Sequence, residues 1–219
     1  MRITLPSGTA AEIARADNSE VGAAGAVGIA LHPDIMGLRP LFDDHVARLA
    51  SDGFTTCAIE PWPGQEDLRL EKRMEATFEL DRVLGDLQAA ADATECERVG
   101  VLGFCMGGMQ AFRAAGTGRF HRAVAFYGMI VPPEAWRVAG CDPLDMLRKP
   151  GACRTLAVLG GKDPYTPPAD IEKLRALPDV EVALYPEAEH GFAHAPERPS
   201  HRADDADDAW RRALDFFRE

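Results

Sequence analysis

The sequence predicts an α/β protein with a mostly parallel central sheet and helices on both faces. Three observations predict it. Short apolar runs alternate with segments of helical spacing, which is the pattern of repeated βαβ units. Several runs, "AVGIALH" and "RVGVLGF" among them, are apolar throughout, as strands buried on both faces must be. The 219 residues are 46% hydrophobic and 27% charged, an ordinary globular balance with enough chain for one sizeable domain.

The elements follow in order. "RITL" and "TAAEIARA" alternate like short strands on either side of the turn residues "PSG". "VGAAGAVG" carries Gly22, Gly25 and Gly28 before an apolar run rather than after one, so it reads as a flexible connection and not a phosphate loop. "AVGIALH" is a strand, "LRPLFDDHVARLASDG" a helix stopping at Gly53, and "FTTCAIE" a second core strand. "LEKRMEATFELDRVLGDLQAAADA" predicts one long amphipathic helix. "RVGVLGF", "RAVAFYG", "RTLAVLGG" and "VEVALYPE" complete the core strands. "GMQAFRAAG", "PPADIEKLRALP" and "ADDADDAWRRALDFFRE" are the remaining helices. The least regular stretch, residues 129–154, is placed to wall or cover a site near the strand ends. No repeat or linker divides the chain, so residues 1–219 read as a single domain.

Composition narrows the function. A formal net charge of -11 argues against nucleic acid and against an anionic membrane surface, since both need clustered Lys and Arg. Five cysteines without a C-x-x-C pair argue against a disulfide framework or structural zinc. The first residues lack a signal-like apolar core, and no run is long enough to span a bilayer. The expectation is a cytoplasmic protein, monomeric or a small homo-oligomer, acting on a small molecule without a cofactor.

Ligands of open parallel sheets sit beyond the carboxyl ends of the strands. Three reactive residues fall there: Cys105 after "RVGVLGF", Asp163 in "GGKDPYTPP", and His190 in "PEAEHGFAH". Their chain order is nucleophile, acid, histidine, the order of the α/β-hydrolase fold with cysteine in place of serine. "GFCMG" fits the G-x-nucleophile-x-G elbow, in which small flanking residues permit a sharp strand-to-helix turn. The helix that follows directs its positive end at the sulfur and offers the Met106 N–H to an oxyanion. Singly, the three have ordinary explanations: a core thiol, a turn aspartate and a surface histidine. Together, each after its own strand, they favour catalysis. His190 and His194 have a spacing used for zinc on helices, but the segment reads as a loop with no third ligand, so no metal is expected.

The sequence resembles the dienelactone hydrolase (carboxymethylenebutenolidase) family over nearly its whole length. The resemblance rests on "GFCMGG", "GGKDPYTP", "HGFA" and "LHPDIMG". It implies a triad of Cys105, His190 and Asp163, and an oxyanion hole from the backbone N–H groups of Ile35 and Met106. Asp34 stands where the family has a glutamate that holds the resting thiol and helps generate the thiolate. His194 stands where dienelactone-specific members have an arginine for the substrate carboxylate. Arg69, Arg73 and Arg198 are further candidates for that role, with Arg202 also near. The implied activity is hydrolysis of an ester bond in a small enol lactone or activated ester through an acyl-thioester. The alternatives are a general esterase or thioesterase, a silent binding protein on the same fold, and a thiol redox protein.

Overall fold

The computed structural model describes residues 1–16 and 26–219. Gly22 and Gly25 lie outside the described residues, and Gly28 lies inside a strand. In chain order the strands are β1 (Arg2–Thr4), β2 (Ala10–Ala14), β3 (Val27–His32), β4 (Phe54–Ile59), β5 (Arg98–Phe104), β6 (Arg122–Phe126), β7 (Arg154–Gly160) and β8 (Val180–Tyr185). The helices are α1 (Pro40–Ser51), α2 (Leu70–Glu75), α3 (Leu80–Ala93), α4 (Met106–Ala115), α5 (Pro143–Leu147), α6 (Pro168–Arg175) and α7 (Ala203–Arg218). All eight strands join one sheet in the order β1-β2-β4-β3-β5-β6-β7-β8. The β1–β2 and β2–β4 pairs are antiparallel, and every pair beyond them is parallel.

The parallel strands are buried on both faces, so their side chains divide by alternation between two cores. Ile29, Leu31, Leu102, Phe104, Val124 and Phe126 pack with α1 and α7, under Phe42, Trp210 and Phe217. Ala30, Val99, Val101, Ala123, Ala125 and Ala157 face the opposite side, toward Leu87, Phe112 and Leu174 from α3, α4 and α6. The first layer is built from large aromatics and the second largely from alanine, which lets α4 lie close against the sheet. Among the described residues, no helix is long and apolar enough to cross a membrane.

One predicted element differs. The long helix expected over residues 70–93 is two helices, interrupted at Ala76–Glu79. Ala76 turns to extended backbone, with φ -70° and ψ 146°. Its carbonyl accepts from the Trp136 indole at 2.9 Å, and Phe78 packs against the same ring at a centroid distance of 5.8 Å. A partner sixty residues away thus claims the carbonyl and the aromatic of the break. The irregular stretch after β6 is the wall that the sequence predicts, and buried Arg113 fastens it. That guanidinium donates to the carbonyls of Trp136 at 2.6 Å and Cys141 at 3.0 Å.

Candidate active site

β5 ends at Phe104 and α4 begins at Met106, so Cys105 alone makes the turn. Its backbone sits at φ 58° and ψ -118°, a left-handed conformation that a side chain adopts only under constraint. Two glycines supply the constraint. A Cβ on Gly103 would lie 2.0 Å from the Gly107 carbonyl oxygen, and one on Gly107 would lie 2.2 Å from that of His32. The bare backbone lets the first turn of α4 press against both β5 and the end of β3. That contact brings the loop after β3 beside the elbow. Ile35 and Met106 consequently share one small apolar cluster, with Cys105 at its edge. Among the described residues, neither the Ile35 nor the Met106 N–H has a hydrogen-bond acceptor.

Asp163 and His190 come from the loops after β7 and β8 and meet at 2.8 Å, Asp163 Oδ2 accepting from His190 Nδ1. The other Asp163 oxygen accepts from the Tyr165 N–H at 2.8 Å, which fixes the carboxylate. Burial on its own would lower the His190 pKa. The bond to Asp163 and the adjacent Cys105 outweigh it and raise the pKa to about 9. His190 Nε2 is buried with no hydrogen-bond partner among the described residues, available to a group that enters the cleft. Cys105 and His190 line one cleft of about 410 Å³, within the range of small-molecule sites.

Asp34 also lines this cleft, but its oxygens are already engaged. Arg39 grips it in bidentate fashion at 2.7 and 2.8 Å, the Met36 N–H reaches Oδ1 at 2.9 Å, and His194 Nε2 reaches Oδ2 at 2.9 Å. Burial would raise its pKa. The His194 and Arg39 hydrogen bonds reverse that and hold it well below the usual carboxylate range. The acceptor capacity assigned from sequence to the thiol is therefore committed to Arg39, His194 and a backbone N–H.

The cationic candidates separate cleanly. His194 is fully buried instead of lining the cleft, and burial pushes its pKa down against the opposing pull of Asp34. With Nε2–H donating to Asp34, Nδ1 accepts from the hydroxyl of Tyr127, itself wholly buried. Arg73 is buried as well and donates to the carbonyls of Leu68, Ile35 and Glu66. Arg69 is exposed before α2 and does not reach the cleft. Arg202 lies beside Asp205 on the surface. Of the arginines considered, Arg198 reaches the cleft, its guanidinium lying over Gly191.

Sequence reasoning missed four residues. Arg39 fixes Asp34 and lines the cleft. Trp136 forms its wall. Trp62 Nε1 donates to the Ile35 carbonyl at 2.8 Å, beside Arg73 at 2.9 Å. Tyr127 completes the Asp34–His194 network. Arg39, five residues beyond Asp34 with only "IMGL" between, had a local signal; the others depend on long-range contacts.

An elbow residue after β5, an acid–histidine pair after β7 and β8, and a mostly parallel sheet together define an α/β-hydrolase. The chain belongs to the dienelactone hydrolase family, whose model matches residues 16–219. It is 32% identical over 202 residues to a Yersinia pestis protein provisionally named a carboxymethylenebutenolidase, covering 84% of this chain and 74% of that one. It is 27% identical over 210 residues to the carboxymethylenebutenolidase of Pseudomonas putida, covering 86% and 84%. A crystal structure from Klebsiella pneumoniae, provisionally named a dienelactone hydrolase, superposes with a TM-score of 0.87 at 25% identity, over 99% of this chain and 97% of that one. The family places this chain among hydrolases of esters and lactones.

Proposed function

We propose that the chain hydrolyses small activated esters or enol lactones through Cys105, with His190 as general base and acid and Asp163 orienting it. The observation that carries this reading is the Asp163–His190 hydrogen bond of 2.8 Å in a cleft that also holds the elbow cysteine. His190 Nε2 takes the thiol proton as sulfur bonds to the carbonyl carbon. The carbonyl oxygen becomes an oxyanion held by the Ile35 and Met106 N–H groups. Collapse breaks the bond to the alcohol oxygen, which leaves with the proton from His190. Water then gives a proton to His190 and attacks the thioester, and sulfur departs and regains that proton. The net change is ester plus water to acid plus alcohol.

The nucleophile restricts the substrate. A thiolate, with a reference pKa of about 8.5, leaves a tetrahedral intermediate far more readily than an ordinary alkoxide. Simple alkyl esters therefore revert to substrate, while aryl and enol esters go forward. The test is mass spectrometry of protein quenched during turnover of an aryl ester. One acyl group on Cys105 is expected, with aryl ester turnover reduced at least about a thousandfold in Cys105→Ala. Unchanged turnover by that variant would sink the reading.

A further inference from the structure

We propose that the acyl part of the substrate is an extended apolar chain that runs from Cys105 past Tyr165 into a second groove, so that esters of medium-length acids are preferred to those of short ones. The inference rests on the hydrolase reading above and specifies its substrate.

The first observation is continuity. A groove of about 400 Å³ adjoins the cleft, and Met74, Met129 and Tyr165 line both. Met74 and Tyr165 are 42% and 46% exposed. Large apolar side chains left bare at the junction mark where an apolar ligand crosses. Tyr165 is held there, its N–H donating to Asp163 at 2.8 Å and its ring meeting that of His190 at a centroid distance of 4.9 Å. The passage thus starts beside the Asp163–His190 pair, and a chain lying in it belongs to the molecule whose ester reaches Cys105.

The second observation is the lining. Pro132 and Pro133, from the wall after β6, and Pro164 and Pro167, from the loop after β7, border the groove. Proline has no N–H, so these stretches present ring methylenes and no backbone donor. Val131 adds to the apolar surface. Of the charged residues there, Arg137 donates from Nε to the Pro132 carbonyl at 3.1 Å, and Asp170 accepts from Lys173 at 2.7 Å. The fixed φ of proline also sets the walls before a ligand arrives, which lowers the cost of ordering them.

The third observation gives the direction. His190, which protonates the leaving oxygen in the mechanism above, lines the cleft and a separate hollow beside Lys162 and Pro199, but not the groove. Met129 does line the groove, and it packs in one cluster with Ile35 and Met106, whose N–H groups hold the carbonyl oxygen in that mechanism. The alcohol therefore leaves toward the hollow, and the acyl chain takes the groove.

The test compares para-nitrophenyl butanoate with para-nitrophenyl octanoate, which share a leaving group. The expected kcat/KM is at least about tenfold higher for the octanoate, since each added methylene is worth about fourfold when fully taken from water and less in an open groove. Pro133→Asp puts a carboxylate in the wall, at the position before the short turn Glu134–Trp136 where aspartate is a favoured cap. It should cut the octanoate preference at least about threefold. Binding of the two corresponding para-nitroanilides to Cys105→Ala, read by quenching of tryptophan fluorescence, reports the preference without chemistry. Tighter binding of the octanoyl anilide with no turnover of either ester supports the groove and overturns the hydrolase reading. Equal kcat/KM for the two esters, or a preference that Pro133→Asp leaves unchanged, overturns the groove and leaves the hydrolase reading standing. Conversion of a wild-type dimer to monomer by Pro133→Asp, with the preference unmoved, overturns it too and assigns the groove to a second copy of the chain.

Discussion

His194 and Asp34, 160 residues apart in the chain, share a hydrogen bond of 2.9 Å that ties the loop after β8 to the loop after β3. The bond joins the loop that carries His190 to the loop that carries Ile35. Its other end is Tyr127, whose hydroxyl donates to His194 Nδ1. His194→Ala leaves the Tyr127 hydroxyl without its acceptor and takes one partner from Asp34, all inside the protein. A loss of about 2–6 kcal/mol is expected in urea unfolding, from one to three for each stranded group. Tyr127→Phe strands only His194 Nδ1 and should cost about 1–3 kcal/mol. Equal stability of both variants and wild type would show that the network holds nothing in place.

Asp163→Asn keeps the shape of the acid but favours the wrong histidine tautomer. On the proposed mechanism, kcat for an aryl ester should drop by about 10³–10⁴-fold, with the fold intact by circular dichroism. A loss below about tenfold would remove Asp163 from the mechanism.

Trp62 and Arg73 both donate to the Ile35 carbonyl, at 2.8 and 2.9 Å. Trp62→Phe withdraws one donor and leaves Arg73 to hold the residue. If Ile35 serves the oxyanion, kcat should fall about three- to tenfold with KM little changed, since the loss is felt in the transition state. A rise in KM at constant kcat would instead make Trp62 a determinant of substrate fit.

The His190 pKa of about 9 lies above its ordinary 6.5, so the charged imidazole stabilises the fold. That contribution is complete below about pH 6.5 and is lost as pH rises through about 9. The stability of wild type relative to His190→Gln should therefore decline across this window. Urea unfolding at several pH values measures it, and a difference independent of pH would contradict the Asp163–His190 coupling.

The order of strands and helices was legible because strands buried on both faces must be apolar, as "AVGIALH" and "RVGVLGF" are. The elbow was legible because its signal is local: two glycines flank one cysteine within five residues. The break at Ala76–Glu79 was not, since the helical spacing continues through it and the competing partner is Trp136. His194 and Arg73 were read as cations free for a ligand. A side chain's charge is visible in a sequence, but whether it faces a cleft or a carbonyl is set by chain that folds over it from far away. Arg73 spends its donors on three backbone carbonyls, and its sequence context gives no hint of that.

The pinch between Gly107 and the carbonyl of His32 separates what can change from what cannot. A single methyl at residue 107 would drive the elbow from the loop that faces it, so the chemistry tolerates almost no experiment there. Met36, Leu70 and Met74 stand partly in solvent at the rim, with no such backbone contact against them. Variation in substrate range is thus open at the lips of the cleft while the floor stays fixed. A lineage, or a directed library, can explore one without disturbing the other.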